Sequence, residues 1–94
     1  MAKYSIPQLR RKQTEIRNIT NKLNQAQSAC KVTSDQLLNV WTGDGADAFR
    51  TYYGKVDANI SIMVSGCMAL DNSLGRIIER LQATENKVAG EFED

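Results

Sequence analysis

The segment Trp41-Thr42-Gly43-Asp44-Gly45 lies near the middle of a chain of 94 residues and separates two stretches with a helical pattern. Gly43 can adopt the left-handed conformation that ends many helices, and Asp44 with Gly45 can cap the N-terminus of the next helix. The segment therefore predicts a W-x-G turn at residues 41–45. It would join a first helix over about 5–40 to a second helix over about 45–89.

Apolar residues of the first half recur every seven positions, as one face of a helix requires. The main series is Leu9, Ile16, Leu23, Cys30 and Leu37, and a second series is Ile19, Ala26 and Val40. Ser5 followed by Gln8 resembles a capping box, with Pro7 in the first turn, although Ile6 could cap instead. We expect the two series to form the face that packs on the second helix.

The second half repeats the pattern with a wider apolar face. One series is Tyr53, Ile60, Cys67, Leu74, Leu81 and Val88, and the other is Val56, Met63, Leu70 and Ile77. Val64 and Ile78 widen this face. The pattern predicts a coiled-coil-like helix of six turns or more, followed by a frayed acidic tail over 90–94.

The predicted fold is all-α: a single domain, residues 1–94, forming an antiparallel two-helix hairpin in which the numbers of facing residues total about 86. A helix in such a hairpin has one neighbour, so the wide face of the second helix needs a further partner. We expect dimerisation into a four-helix bundle, as a homodimer, or as a heterodimer with a paralogue or a helical toxin-targeting domain. The predicted interface comprises Val56, Ile60, Met63, Val64, Cys67, Leu70, Leu74, Ile77, Ile78 and Leu81.

Composition argues against catalysis. The chain has no histidine and a net charge of +1, so the commonest general base is absent and a dedicated nucleic-acid binder is not indicated. The charge is uneven, because residues 1–43 carry +5 and residues 44–94 carry −4, which favours the hairpin. We expect no enzyme activity, no cofactor and no metal site; Asp44 and Asp47 suit the start of a helix better than a metal ion.

Other local features have two interpretations. The basic group Arg10, Arg11, Lys12 and Arg17 is expected to be a solvated face, and the cysteines to be small buried residues about 16 Å apart, too far for a disulfide. Gly54, Gly66 and Gly75 interrupt the second helix, either to permit close helix approach or as tolerated exposed positions. The longest uncharged stretch, Ala58 to Leu70, is 13 residues, too short to span a membrane.

Trp41 and Gly43, together with the following Gly45-Ala46-Asp47-Ala48-Phe49 and the chain length, resemble the WXG family of small bacterial proteins, which includes the early secreted antigen ESAT. The resemblance implies a hairpin that dimerises as an antiparallel four-helix bundle. It also implies export in the folded state, without a cleaved signal peptide, by a type VII secretion system with a membrane ATPase. Trp41 and Gly43 would then carry half of a composite export signal, whose other half is commonly Y-x-x-x-D/E in the tail.

The chain departs from that family pattern at its tail, since its one Y-x-x-x-D/E match is Tyr53 to Asp57 inside the second helix. The first functional hypothesis is a secreted substrate or co-substrate of a type VII system that acts by binding. The second is a cytoplasmic helical adaptor or targeting partner for a larger secreted toxin. Membrane lysis after release is a third, which rests on the apolar breadth of the second helix.

Overall fold

A computed structural model describes residues 4–91 of the chain. Two helices account for almost all of that range: α1 (Ile6–Val40) and α2 (Asp44–Glu91). They run antiparallel and pack along their length, which confirms the predicted all-α hairpin. α2 has 48 residues against 35 in α1, so its C-terminal part extends beyond the start of α1. The helix reaches Glu91 rather than fraying at Gly90, and residues 92–94 of the predicted tail lie outside the described residues.

The helix ends differ in part from the prediction. Ser5 is extended and caps α1, with its hydroxyl accepting from the Gln8 N–H at 3.4 Å. At the turn, Trp41 is itself extended and ends α1, whereas Gly43 has φ of 109° and its carbonyl accepts from the Asp47 N–H. Gly43 thus precedes α2 directly. Asp44 is the first residue of that helix, not its cap as predicted.

The face of α1 that packs on α2, here called the seam, is more polar than predicted. Its most buried residues are Gln13, Thr20 and Ser34, each less than 9% exposed. Leu9, Ile16 and Leu23 of the main apolar series are half-buried beside them. The second predicted series is wrong as a seam: Ile19, Ala26 and Val40 are exposed. Cys30 and Leu37 of the main series are exposed as well, against the prediction that they pack on α2 and that the Cys30 thiol is buried.

The seam of α2 combines apolar residues with two carboxylates. Ile78 is completely buried, and the half-buried members are Tyr53, Asp57, Ile60, Val64, Cys67, Asp71, Leu74 and Leu81. Val64 and Ile78 therefore face α1 and do not widen the outer face as predicted. The reason is their spacing. Val64 and Ile78 each follow a seam residue by four positions, which places them on the side of the helix that carries Asp57 and Asp71. The exposed apolar residues of α2 follow the same seam residues by three positions, which places them on the other side.

Two matching polar clamps fix the register of the hairpin. The Gln13 amide donates to the carboxylate and the backbone carbonyl of Asp71, at 2.8 and 3.3 Å. Two heptads further on, the Gln27 amide donates to the carboxylate and carbonyl of Asp57, at 3.1 and 3.3 Å. Gln27 also donates to Ser61, and Arg17 forms an ion pair with Asp71. The numbers of two facing residues add up to 84 in the clamps and to 88 in these two contacts. The predicted total of about 86 is confirmed.

Among the residues whose burial is described, the buried apolar side chains are Ala46 and Ile78, so the hairpin has little core of its own. It measures 78 × 17 × 16 Å. The Cα radius of gyration is 21.6 Å, whereas a compact domain of this length has about 12 Å. Each helix covers one side of the other and leaves its remaining surface to solvent or to a partner.

Candidate protein interaction surfaces

The turn presents Trp41 at one tip of the hairpin. Its indole lies over the first turn of α2, with its ring centroid 5.9 Å from that of Phe49 and the planes tilted by 52°. A Cβ atom placed on Gly45 would lie 3.0 Å from Cζ2 of the indole. Gly45 therefore gives the ring its place on α2, while 37% of the Trp41 surface stays exposed.

The two turn glycines have different roles. Gly43 needs to be glycine because its φ is positive, a conformation that residues with a Cβ rarely adopt. Lack of space is not the reason, because a Cβ there would meet nothing within 4 Å. Gly45 has a helical backbone, and the space above it is what the indole requires. Sequence alone predicted the conformational role of Gly43 but indicated only a capping role for Gly45. Trp41 is extended and lies outside both helices, so helical spacing gave no signal that would place Gly45 under the ring.

A row of exposed apolar side chains runs along α2, and we call it the open stripe. It consists of Val56, Met63, Leu70 and Ile77, which are 37%, 52%, 60% and 47% exposed. These four belong to the predicted partner interface. Of its other members, Ile60, Val64, Cys67, Leu74 and Leu81 are half-buried in the seam, and Ile78 is fully covered by the hairpin. Ile78 is thus removed from the predicted interface, while the assignment of the open stripe stays a prediction.

A groove of about 290 Å³ adjoins one end of the open stripe. It is lined by Ala29, Cys30, Thr33, Ser34, Tyr53 and Val56. The Tyr53 hydroxyl is buried there without a hydrogen-bond partner among the described residues. Burial raises the pKa of Tyr53, and the neighbouring Asp57 carboxylate raises it further. The groove shows that the Thr33 side of α1 and the open stripe of α2 lie on the same side of the hairpin.

The opposite side of the hairpin carries an ion pair between the helices, with Met68 beside it. Arg17 Nε lies 2.9 Å from the Asp71 carboxylate. Its hydrogen bond lowers the pKa of Asp71, and the Gln13 amide acts in the same direction against the effect of burial. The other ion pairs within residues 4–91 join neighbours on one helix: Lys12 to Glu15, Lys31 to Asp35 and Arg50 to Asp47. Within the described residues, the opposite net charges of the two helices therefore meet in one ion pair, between Arg17 and Asp71.

The internal Tyr53 to Asp57 motif is part of the seam. Tyr53 is half-buried and Asp57 is held by Gln27. Neither side chain is presented to solvent as an element of a flexible tail would be.

Among the glycines of α2, Gly75 lies close to α1, since a Cβ there would be 2.9 Å from the Gln13 amide nitrogen. Gly54 and Gly66 have open space instead.

Comparison with known protein families identifies the chain. A family model described as "Proteins of 100 residues with WXG" matches residues 2–86. The chain belongs to the WXG100 family. The family is associated with substrates of type VII secretion systems, and its members are small helical proteins that are generally not enzymes. No curated protein and no solved structure gives a significant match. Neither WXG100 helix, over the residues described, has an apolar stretch long enough to cross a membrane.

Proposed function

We propose that this WXG100 protein is a substrate or co-substrate of a bacterial type VII secretion system and acts by protein–protein binding as a dimer. It would be exported from the cytoplasm without a cleaved signal peptide, after engaging the secretion ATPase. The observation that carries the proposal is the turn: the family motif forms an ordered tip on which Trp41 remains partly exposed. A large aromatic ring with a polar N–H is well suited to recognition by a partner.

The open stripe supports the dimer. Side chains of Met63, Leu70 and Ile77 are about half exposed in the hairpin, and covering them would remove apolar area from water at about 25 cal/mol per Å². Within residues 4–91 the hairpin has no third layer to do this. A second helical hairpin would supply one and turn two layers into a four-helix bundle.

Export of a Trp41→Ala variant tests the role of the turn. Val40→Ala is the matched control, because Val40 is the adjacent apolar residue and is 85% exposed. We expect both variants to stay helical by circular dichroism. Trp41→Ala should be retained in the producing cells, while Val40→Ala should reach the culture medium like the wild type. Wild-type secretion of Trp41→Ala would refute the function assigned to the turn.

A cytoplasmic adaptor or targeting partner for a larger secreted toxin is the second candidate. One observation favours it: the only Y-x-x-x-D/E match is folded into the seam, so it does not offer an exposed tail motif. Culture medium from cells that lack every candidate toxin partner separates the two functions. Continued secretion in that strain supports the autonomous substrate, whereas complete retention supports the adaptor.

A further inference from the structure

Arginine side chains from both helices line one concavity on the side of the hairpin opposite the open stripe. It has a volume of about 300 Å³, and we call it the arginine site. Gly75 adds no side chain that would fill it, and a Cβ there would already lie 2.9 Å from the Gln13 amide nitrogen. The full lining is Arg10, Gln13, Arg17, Asn72, Gly75, Arg76 and Glu79.

Hydrogen bonds hold two of the guanidinium groups at the wall of the arginine site. Arg10 Nη1 donates to the Gln13 amide oxygen at 3.1 Å, and the Gln13 amide nitrogen donates to the Asp71 carboxylate at 2.8 Å. Arg17 Nε donates to the same carboxylate at 2.9 Å. Each arginine uses one nitrogen in these bonds, and a guanidinium carries N–H donors on all three. Both groups therefore keep donors for a ligand.

The positive charge of the arginine site exceeds its negative charge. Because the numbers of facing residues add up to about 86, Arg76 lies level with Arg10 on the opposite helix. Neither forms an ion pair among the side chains that the structure describes. Three guanidinium groups against the carboxylates of Asp71 and Glu79 leave one excess positive charge. An anion with a single charge would neutralise the site.

A second concavity continues from the arginine site along the same side of the hairpin. It has a volume of about 310 Å³ and is lined by Arg17, Thr20, Asn21, Asn24, Met68 and Asp71. Met68 is 53% exposed and precedes Gly75 by one heptad. A heptad is about 10 Å of helix, which three residues of an extended chain span. The side-chain amides of Asn21 and Asn24 offer donors and acceptors that match a peptide backbone.

We propose that the two concavities bind an extended acidic segment of a partner protein. One carboxylate of the segment accepts hydrogen bonds from Arg10 and Arg76, and an apolar side chain three residues away packs on Met68. A carboxylate carries the single charge that the site lacks, whereas a phosphate monoester carries about two. This inference goes beyond the proposed function and does not depend on it, because the site faces away from the open stripe and remains open when a second hairpin covers that stripe.

Peptide binding to the full chain tests the proposal. The probes are Ser-Glu-Thr-Ser-Leu-Ser and its reverse sequence, which cover both chain directions, and the same two peptides with glutamine in place of glutamate. Blocked termini leave the glutamate as the single charge. Nitrogen-15 NMR follows the arginine Nε–H signals. At least one glutamate peptide should shift the Arg76 signal, and its glutamine counterpart should bind about tenfold more weakly, because charge-assisted hydrogen bonds are stronger than neutral ones.

Arg76→Gln, with Arg80→Gln as the matched control, tests the place of binding. Both arginines are exposed on α2, so the two variants lose the same charge from the same helix. The dissociation constant of the glutamate peptide should rise about tenfold for Arg76→Gln and stay unchanged for Arg80→Gln. Should Arg76→Gln fail to fold by circular dichroism, the glutamate and glutamine peptides on the wild type still decide. Equal affinities of the two variants overturn the site. Arginine shifts caused by inorganic phosphate but by neither glutamate peptide overturn the ligand.

Discussion

Substituting Gly75 by alanine should separate the two opposing roles of a glycine in α2. Alanine in place of an unconstrained helical glycine stabilises by about 0.8–1.0 kcal/mol, and Gly54→Ala should show this gain. At Gly75 the new methyl group would lie 2.9 Å from the Gln13 amide nitrogen, which donates to Asp71. Gln13 is 5% exposed, so its displaced amide has little access to water. Leaving a buried polar group unsatisfied costs about 1–3 kcal/mol.

The net effect of Gly75→Ala should therefore range from neutral to a loss of about 2 kcal/mol, and the two alanine variants should differ by about 1–3 kcal/mol. Urea unfolding followed by far-ultraviolet circular dichroism, at one protein concentration, measures both. In a Gln13→Ala background the clamp is absent, so Gly75→Ala should become as stabilising as Gly54→Ala. If Gly75→Ala stabilises the wild-type chain as much as Gly54→Ala does, the Gln13 clamp does not oppose the added methyl group.

Two further predictions concern acid and the turn. The pKa of Asp71 is lowered from its ordinary value of 3.8, so the stability it contributes is present above that value and is lost as the pH falls through the lower folded pKa. Urea midpoints should therefore drop less steeply on acidification for Asp71→Asn than for the wild type, and parallel curves would contradict this. Gly43→Ala should lose about 1–2 kcal/mol because of its positive φ. D-alanine at position 43, introduced by chemical synthesis, favours a positive φ and should restore the unfolding midpoint. A midpoint that stays low would show that the added methyl group, and not the backbone conformation, is the cause of the loss.

The outline of the fold could be read from the sequence because its signals are local. Ser5 marks the start of α1, the glycine-containing segment marks the turn, and apolar repeats of seven on both sides indicate helices that pack together. The register followed from the position of the turn alone. The exact turn geometry did not, because both the end of α1 and the start of α2 compete for the same few residues.

The composition of the seam could not be predicted by placing apolar residues inside. That rule assumes that all apolar residues of a helix face its one neighbour. In α1 some of them pack in the seam and the others lie on an exposed outer face. Gln13 and Gln27 are two heptads apart, and so are Asp57 and Asp71. These matched intervals were the available signal for the clamps, and they would have shown that Ile19 and Ala26 lie outside. Gly45 was missed because a ring lying over a helix leaves no periodic trace in the sequence.

The slender shape affects how association of this protein can be measured. A rod 78 Å long and about 17 Å across experiences more friction than a sphere of the same mass. It should therefore leave a size-exclusion column earlier than its 10.5 kDa would suggest, even when no association occurs. Antiparallel pairing would thicken the rod more than lengthen it, so the Stokes radius would grow far less than the molar mass. Light scattering, which reports mass independently of friction, will register that doubling in full.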